Sequence, residues 1–211
     1  MWKSLKDASR GMLPFRRKTV LSVDLRTILR HEANVVFSRA RSPHLEQIAT
    51  LCGSSNVELA AMHRRLERGD WCIQGHVRGE LAFVGWLMFG EMEVGELIAF
   101  TSPDTAYTYK LFTAPDFRRR NIAAAFYSYL AATLAPRATM RLFATVLDDD
   151  PASRKLLDRC GFTLLGSMWD IRGLGSFTSS AVSAALREEP RVSVLRVVRP
   201  QSFPASRDRF A

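Results

Sequence analysis

The stretch APDFRRRNIAAAF, residues 114–126, places three consecutive arginines and an asparagine directly before a run of small residues. Pro115 ends an alternating strand pattern over residues 105–113, and the apolar spacing that follows predicts a helix over residues 119–135. A helix N-terminus leaves about four backbone N–H groups without partners and carries the positive end of the helix dipole. An anion completes such an end when no side chain blocks its approach, so the stretch predicts a pyrophosphate-binding turn.

The arginines and the small residues have different parts in this prediction. Arg118, Arg119 and Arg120 oppose the helix dipole, so their position favours a ligand with several phosphate oxygens. The three alanines at 123–125 leave the first helical turn open to such a ligand. A solvated basic helix start is the alternative interpretation, and nucleic-acid binding through the same arginines is a weaker one.

The net charge of +9 lies mostly outside the central part of the chain. Residues 1–30 hold eight basic and two acidic side chains, and residues 187–211 hold six and three. Residues 31–186 hold sixteen of each sign. Charge confined to the chain ends is more typical of solubility, or of loose attraction to an acidic partner, than of sequence-specific nucleic-acid binding.

Apolar periodicity predicts the element order β-α-α-β-β-β-α-β-α-β-β, from a strand over residues 33–38 to a strand over residues 192–198. That order is typical of an α/β protein, α+β by some schemes, with one mixed sheet covered by helices. We expect residues 1–32 to form a basic N-terminal extension, residues 33–200 the domain, and residues 201–211 a C-terminal tail.

Cysteine usage and hydropathy indicate the compartment. The three cysteines form no Cys-x-x-Cys pair and the four histidines show no HExxH spacing, so neither a disulfide framework nor a zinc site is expected. No apolar stretch reaches about 18 residues, which predicts no membrane span. The basic N-terminus also lacks the apolar centre of a signal peptide. These features together favour the cytoplasm.

Residues 111–123 resemble motif A of the GNAT acyltransferases, in which a strand leads through Pro-x-aromatic-[Arg/Gln]-x-x-Gly-x-[Gly/Ala] into a helix. Arg118 stands at the Arg/Gln position and Ala123 at the Gly/Ala position. Asn121 stands where glycine is usual, and asparagine tolerates left-handed backbone better than most residues. Residues 150–162 are similar to motif B of the same family, Asn-x-x-[Ala/Ser]-x-x-x-Tyr-x-x-x-Gly-Phe.

The resemblance implies a GNAT-like single domain with a mostly antiparallel sheet and helices on both faces. The central strands, here 105–113 and 140–147, would splay apart to admit acetyl-CoA or another acyl-CoA, with no metal. Backbone N–H groups of residues 118–123 would bind the pyrophosphate, and the preceding strand would pair with the pantetheine arm. Asp150 matches the motif B asparagine and, before Pro151, also suits a helix N-cap. The implied cofactor-binding residues are Leu111, Phe112, Thr113, Arg118, Arg119, Arg120, Asn121, Ile122, Ala123, Asp150 and Ser153.

The resemblance also implies that an acceptor amine attacks the thioester directly, with the oxyanion near the backbone N–H of Phe112 or Thr113. The proton donor in the family is usually the motif B tyrosine. This chain has Leu157 at that position, so the usual general acid is missing. The nearest polar candidates in sequence order are Tyr107, Tyr109 and Glu96.

Three functions therefore stay open at this point. The first is transfer of an acetyl or similar acyl group from acyl-CoA to a small-molecule amine. The second is transfer of a longer acyl chain from acyl-CoA or from an acidic acyl carrier protein, which the basic chain ends would suit. The third is a CoA-binding protein with little or no turnover, which Leu157 favours. The acceptor and a homodimeric state are also open.

Overall fold

The computed structural model describes residues 15–89, 92–94, 98–100, 104–137, 141–171, 175–178 and 192–194 of the chain. Its strands are β1 Phe15–Asp24, β2 Val36–Arg39, β3 Trp71–Val77, β4 Glu80–Phe89, β5 Met92–Val94, β6 Ile98–Phe100, β7 Thr105–Thr113, β8 Arg141–Leu147, β9 Thr163–Ile171, β10 Gly175–Thr178 and β11 Val192–Val194. Its α-helices are α1 Leu45–Cys52, α2 Asn56–Glu67, α3 Ile122–Leu134 and α4 Pro151–Arg159. Single 3-10 turns lie at Leu25–Thr27, Ser42–His44, Pro115–Phe117 and Ala135–Arg137.

An eight-stranded mixed sheet has the order β10-β9-β1-β8-β7-β4-β3-β2. Every neighbouring pair described in it is antiparallel except β7 and β8, which run parallel. Parallel neighbours need a crossover connection, and α3 supplies it between β7 and β8. Three short strands form a second sheet in the order β11-β6-β5.

Helices cover both faces of the large sheet. On one face α1 and α2 contribute Ile48 and Met62 to a buried cluster with Trp86 of β4. On the other face α3 and α4 contribute Phe126 and Leu157 to the larger core cluster. This arrangement confirms the predicted fold class. Within the described ranges, no helix combines the length and the apolar character needed to cross a membrane.

The N-terminal strand β1 corrects the predicted domain boundary. Residues 1–32 were expected to form an extension, but β1 lies inside the sheet, paired with β8 on one side and β9 on the other. Val20 and Leu21 are fully buried. The short apolar run around them is typical of a strand buried on both faces, and the flanking basic residues obscured it. The boundary predicted at residue 200 concerns residues outside the described ranges and stays a prediction.

The middle of the chain follows the sequence prediction closely. β7 has the predicted bounds, and β3 and β4 form a hairpin with Arg78 and Gly79 at positive φ in the turn. Helix α3 begins three residues later than predicted, because Arg119 and Asn121 adopt left-handed backbone before it. Strand β10 follows β9, and residues 179–191 lie outside the described ranges.

We predict that Leu21→Ala destabilises the protein by about 2–5 kcal/mol, because it removes a buried side chain and leaves a cavity. The control is Leu29→Ala, since Leu29 is 55% exposed and such surface changes stay within about 0.5 kcal/mol. Urea denaturation measures both free energies of unfolding. Equal, small losses would show that β1 is not part of the sheet.

Candidate functional site

The parallel strands β7 and β8 run together for only part of their length. Their register extends from Thr105 opposite Arg141 to Thr108 opposite Ala144 and ends there. Beyond that point β7 continues beside β4 as far as Thr113, and β8 continues beside β1. The two strands therefore diverge, which confirms the predicted splay. We call this opening the fork.

A β-bulge on β7 marks the start of the fork. Tyr109 pairs with Trp86 and Phe112 pairs with Val84, so two residues of β7 stand opposite one residue of β4. The first of the two, Lys110, has a φ of 49°. Such bulges bend a strand and increase its local twist, which separates β7 from β8.

The backbone of β7 past the bulge presents alternate groups to the two sides. The N–H of Ala114 donates to the carbonyl of Ala82 on β4 at 2.9 Å. Because hydrogen bonding alternates along an antiparallel pair, Phe112 also bonds towards β4, whereas Thr113 faces away from it. The Arg118 Nε donates to the Thr113 carbonyl at 3.2 Å, in agreement with that orientation. Of the two residues predicted near the oxyanion, only Thr113 turns its N–H towards the fork.

The turn from β7 into α3 contains two left-handed residues. Arg119 and Asn121 each have a φ of 63°, so asparagine adopts the backbone for which the motif usually has glycine. The Asn121 side chain fixes the turn by donating to the Glu32 carbonyl at 3.2 Å and accepting from the Arg159 guanidinium at 2.9 Å. The turn is thus tied to the end of α4 and to the segment before β2.

Five consecutive backbone N–H groups lie at the start of α3 with no acceptor in the described part of the chain, those of residues 119–123. The next two N–H groups, of Ala124 and Ala125, both donate to the Asn121 carbonyl. The Arg118 N–H was predicted to belong to this set, but it donates to the Pro115 carbonyl at 3.2 Å and is therefore not available. We call the five groups the amide nest.

The small residues after Asn121 do not all serve the nest. Ala123 is half-buried at the first turn, whereas Ala124 and Ala125 are buried in the core side of α3. The prediction that all three alanines keep the approach open is therefore wrong for the last two. A large side chain at position 123 would project beside the nest, and this makes position 123 the test site for it.

The three arginines before α3 are exposed. The Arg120 guanidinium lies over the Phe117 ring, 5.1 Å from its centroid. Arg120 also lines a cavity of about 440 Å³ between the turn and the β3–β4 hairpin. The other lining residues are Asn34, Val77, Arg78, Glu80, Asp116, Phe117 and Ile122.

Asp150 and Ser153 interact with each other at the start of α4. The Asp150 carboxylate accepts from the Ser153 N–H at 3.0 Å and from its hydroxyl at 2.7 Å. Asp150 is therefore a helix N-cap, as the sequence also suggested. Leu157 lies one helical turn after Ser153, is 3% exposed and packs in the core. The position of the usual tyrosine therefore carries no hydroxyl group.

Two of the predicted catalytic residues lie beside the fork on the face covered by α1 and α2. The Tyr107 and Tyr109 rings are nearly parallel, with centroids 6.0 Å apart. The Tyr107 hydroxyl shares a hydrogen bond of 2.6 Å with the Thr145 hydroxyl, and burial raises the pKa of Tyr107. The Tyr109 hydroxyl donates to the Asp70 carboxylate. The third candidate, Glu96, lies outside the described residues.

Asp70 was not singled out from the sequence. It is 4% exposed and is the only charged residue that is buried in the described part of the chain. Asp70 directly precedes β3, whose first residues are all buried. An acidic residue next to a buried strand is the sequence feature that could have identified it. Burial, followed by the hydrogen bond to Asp70, raises the pKa of Tyr109 well above its usual range.

The three thiols are poor nucleophiles at neutral pH. Burial raises the pKa of Cys72 to about 12 and that of Cys160 to about 11, and burial also raises the pKa of the half-buried Cys52. Only the thiolate attacks an acyl group, so these cysteines do not favour a covalent acyl intermediate. Among the described residues, no group of three or more His, Cys, Asp or Glu is placed to hold a metal ion.

Comparison with known proteins agrees with this geometry. A model of the acetyltransferase (GNAT) family matches residues 34–162, more than half of the chain. The protein therefore belongs to the GNAT acetyltransferase family. No curated protein matches the sequence.

Solved structures show the shared fold. A GNAT-family acetyltransferase from Colwellia psychrerythraea superposes with a TM-score of 0.56 at 16% identity, over 72% of this chain and 54% of that one. The aminoglycoside 6'-N-acetyltransferase AAC(6')-Ih from Acinetobacter baumannii gives 0.52 at 15%, over 61% and 90%. AAC(6')-Iy, solved with the bisubstrate analogue CoA-S-monomethyl-acetylneamine, gives the same values. The chain spans less than two thirds of the length of some of these relatives.

We predict that iodoacetamide at pH 7.5 leaves Cys72 and Cys160 of the native protein unlabelled over one hour, because their raised pKa values keep them as buried thiols. The denatured protein, in which all three cysteines react, is the control. Peptide mass spectrometry measures the labelling. Rapid modification of Cys72 in the folded protein would contradict the assignment.

Proposed function

We propose that this protein is an N-acyltransferase that moves an acetyl or other short acyl group from acyl-CoA to a small-molecule amine by direct attack in a ternary complex. One observation supports this most strongly. The fork between β7 and β8 opens next to the amide nest, so a strand-like arm and its pyrophosphate could be held in one continuous site. Few ligands other than CoA combine those two parts.

The amide nest suits the pyrophosphate of CoA. Its N–H groups form an anion-binding concavity at the positive end of the α3 dipole. The exposed side chains of Arg118, Arg119 and Arg120 would add charge-assisted hydrogen bonds to the phosphate oxygens. Asn121, Ile122 and Ala123 would contribute through their backbone, since their N–H groups belong to the nest.

The pantetheine arm would extend from the nest along β7. Thr113 would pair with it through the backbone groups that face the fork. Leu111 and Phe112 would contribute apolar contacts, because both are only partly buried and pack against the core. Asp150 and Ser153 would line the opposite side in addition to capping α4.

The chemistry needs a neutral amine, a polarised carbonyl and a proton for the leaving thiolate. The amine nitrogen forms a bond to the carbonyl carbon, and the carbon–sulfur bond breaks as the tetrahedral intermediate collapses. A backbone N–H group on the splayed part of β7 would stabilise the oxyanion. CoA thiolate is a fair leaving group, so water can protonate it in place of the tyrosine that Leu157 replaces.

The acceptor class rests on the family and its relatives. The Acinetobacter baumannii enzyme is named as an aminoglycoside 6'-N-acetyltransferase, which acetylates a small molecule. AAC(6')-Iy was solved with an analogue that joins CoA to acetylneamine. We therefore propose a small-molecule amine for this protein, without a more specific identity. The buried, high-pKa thiols favour direct attack over a ping-pong route through a cysteine.

We predict that Ala123→Glu abolishes CoA binding while the protein stays folded, because a carboxylate beside the nest repels the pyrophosphate and blocks its approach. The matched control is Ala132→Glu, an exposed site on the same helix. Isothermal titration with CoA and the thermal melting curve measure the two properties. Unchanged CoA affinity in Ala123→Glu would refute the site.

Two alternatives have specific support, and each has its own test. Leu157 favours a CoA-binding protein with little turnover, and the basic chain ends favour an acyl carrier protein as donor. Thiol release from acetyl-CoA, measured across a panel of amines, eliminates the first alternative if it occurs. Because β1 belongs to the sheet, the carrier test should delete only residues 1–14 and 201–211.

We predict that this double truncation leaves the rate with acetyl-CoA within about twofold of wild type, since the fork and the nest are intact. Acyl carrier protein charged with the same acyl group is the second donor. A loss of rate confined to the carrier donor would favour the carrier alternative. An equal loss with both donors, or with neither, would count against it.

A further inference from the structure

Asp70 is a buried carboxylate that the proposed mechanism does not yet use. It lies at the end of the α2–β3 connection, where Arg68 contacts both of its oxygens and Tyr109 shares Oδ2 with Arg68. The Arg68 guanidinium contacts it at 3.1 Å and 2.5 Å from the solvent side, where Arg68 is 60% exposed. The Tyr109 hydroxyl donates to it from the sheet side. Burying a carboxylate is costly unless such partners are present.

Tyr109 connects this carboxylate with the fork. It is the first residue of β7 beyond the last pair with β8 and directly precedes the bulge at Lys110. Its ring passes over β4, where it pairs with Trp86 and lies 6.3 Å from that ring. Unlike Asp70, Tyr109 is only half-buried. Tyr109 is therefore the more accessible residue of the pair.

The direction of the hydrogen bond decides what the phenol can do. Because its proton points to Asp70, the Tyr109 oxygen presents only lone pairs to a second partner. An ammonium or amine N–H is a suitable donor to those lone pairs. The raised pKa of Tyr109 keeps it a phenol at neutral pH, so it can pass a proton on rather than hold a charge.

We propose that Tyr109 and Asp70 form a relay that deprotonates the acceptor amine. As the ammonium transfers a proton to the Tyr109 oxygen, the Tyr109 proton moves to Asp70. The neutral amine then forms the bond to the carbonyl carbon and the carbon–sulfur bond breaks. Water accepts the second proton from nitrogen and protonates the departing thiolate, and Asp70 returns its proton to solvent. Tyr109 touches the substrate, whereas Asp70 is a positioning residue that acts through it.

Several charged groups face the relay and set its electrostatics. The Arg65 guanidinium of α2 lies 5.9 Å from the centre of the Tyr109 ring and 5.4 Å from that of Trp86. Glu58 of α2 pairs with Arg65 at 2.9 Å and with Lys110 at 3.0 Å. Arg68 faces both Asp70 and Tyr109. Arg65, Arg68 and Lys110 are therefore the cations around the relay, and Glu58 is the carboxylate among them.

The relay rests on the proposed function and has a kinetic test. We expect Tyr109→Phe and Asp70→Asn each to lower kcat for acetyl transfer to an amine by roughly 10²–10⁴-fold. The defect should shrink as pH rises, because the free amine then forms in solution. The double variant should lose no more than either single variant, since the two residues act as a unit. Affinity for CoA should stay within twofold of wild type.

The matched controls are Tyr129→Phe, a half-buried tyrosine that packs on Phe37, and Asp158→Asn, an exposed carboxylate of α4. Both should keep the wild-type pH profile. A pH-independent defect in the relay variants, or additive losses in the double variant, would show a merely structural role and overturn the relay.

A second readout needs no acceptor. The chain has four tyrosines, so ¹³Cζ-tyrosine NMR resolves Tyr109, assigned by its loss in Tyr109→Phe. In Asp70→Asn its titration midpoint should fall towards the ordinary tyrosine value of about 10. An unchanged midpoint would overturn the coupling.

The possible outcomes distinguish failure of the relay from failure of the proposed acyltransferase function. Wild-type protein that releases no thiol with any amine would refute the proposed function, and the relay with it. Wild-type turnover that Tyr109→Phe leaves undiminished would refute the relay alone. If Asp70→Asn fails to fold, the Tyr109→Phe kinetics still decide the matter.

Discussion

The parting of β7 and β8 after Thr108 and Ala144 is the constraint on which the rest of the structure depends. A parallel pair of this length cannot hold two long strands by itself, so each strand must be supported from its other side. β4 holds β7, and β1 holds β8 over seven paired positions. The bulge at Lys110 turns the freed part of β7 away, and the backbone of Thr113 is left facing an opening.

The N-terminal strand is an unexpected part of that support. The family match begins at residue 34, yet β1 lies in the interior of the sheet, between β8 and β9. It also orders the loop between β8 and α4. Thr19 donates to the Asp148 carboxylate at 2.9 Å, and Arg17 pairs with the same group at 3.3 Å. That loop leads directly to Asp150, so β1 helps to fix one wall of the fork.

The anion binding and the catalysis that we propose would have separate structural bases in this chain. The nest depends on local backbone, on two left-handed residues and on the side-chain contacts of Asn121, and it survives the replacement of glycine. The tyrosine that usually acts as the general acid is absent, because its position holds Leu157, which packs in the core. The proton relay that we propose lies on the opposite face of the sheet, where Tyr109 and Asp70 meet.

Local sequence determined much of this protein, because its signals are local. The alternation over 105–113 and the stretch before α3 each predicted an element or a turn that the structure contains. Tertiary structure alone decided the place of β1, the use of Ala124 and Ala125 in the core, and the contact between Asp70 and Tyr109. Those features join residues 39 or more positions apart, or depend on which side of an element faces the core. No short-range pattern records such distances, since only the folded sheet brings the strands together.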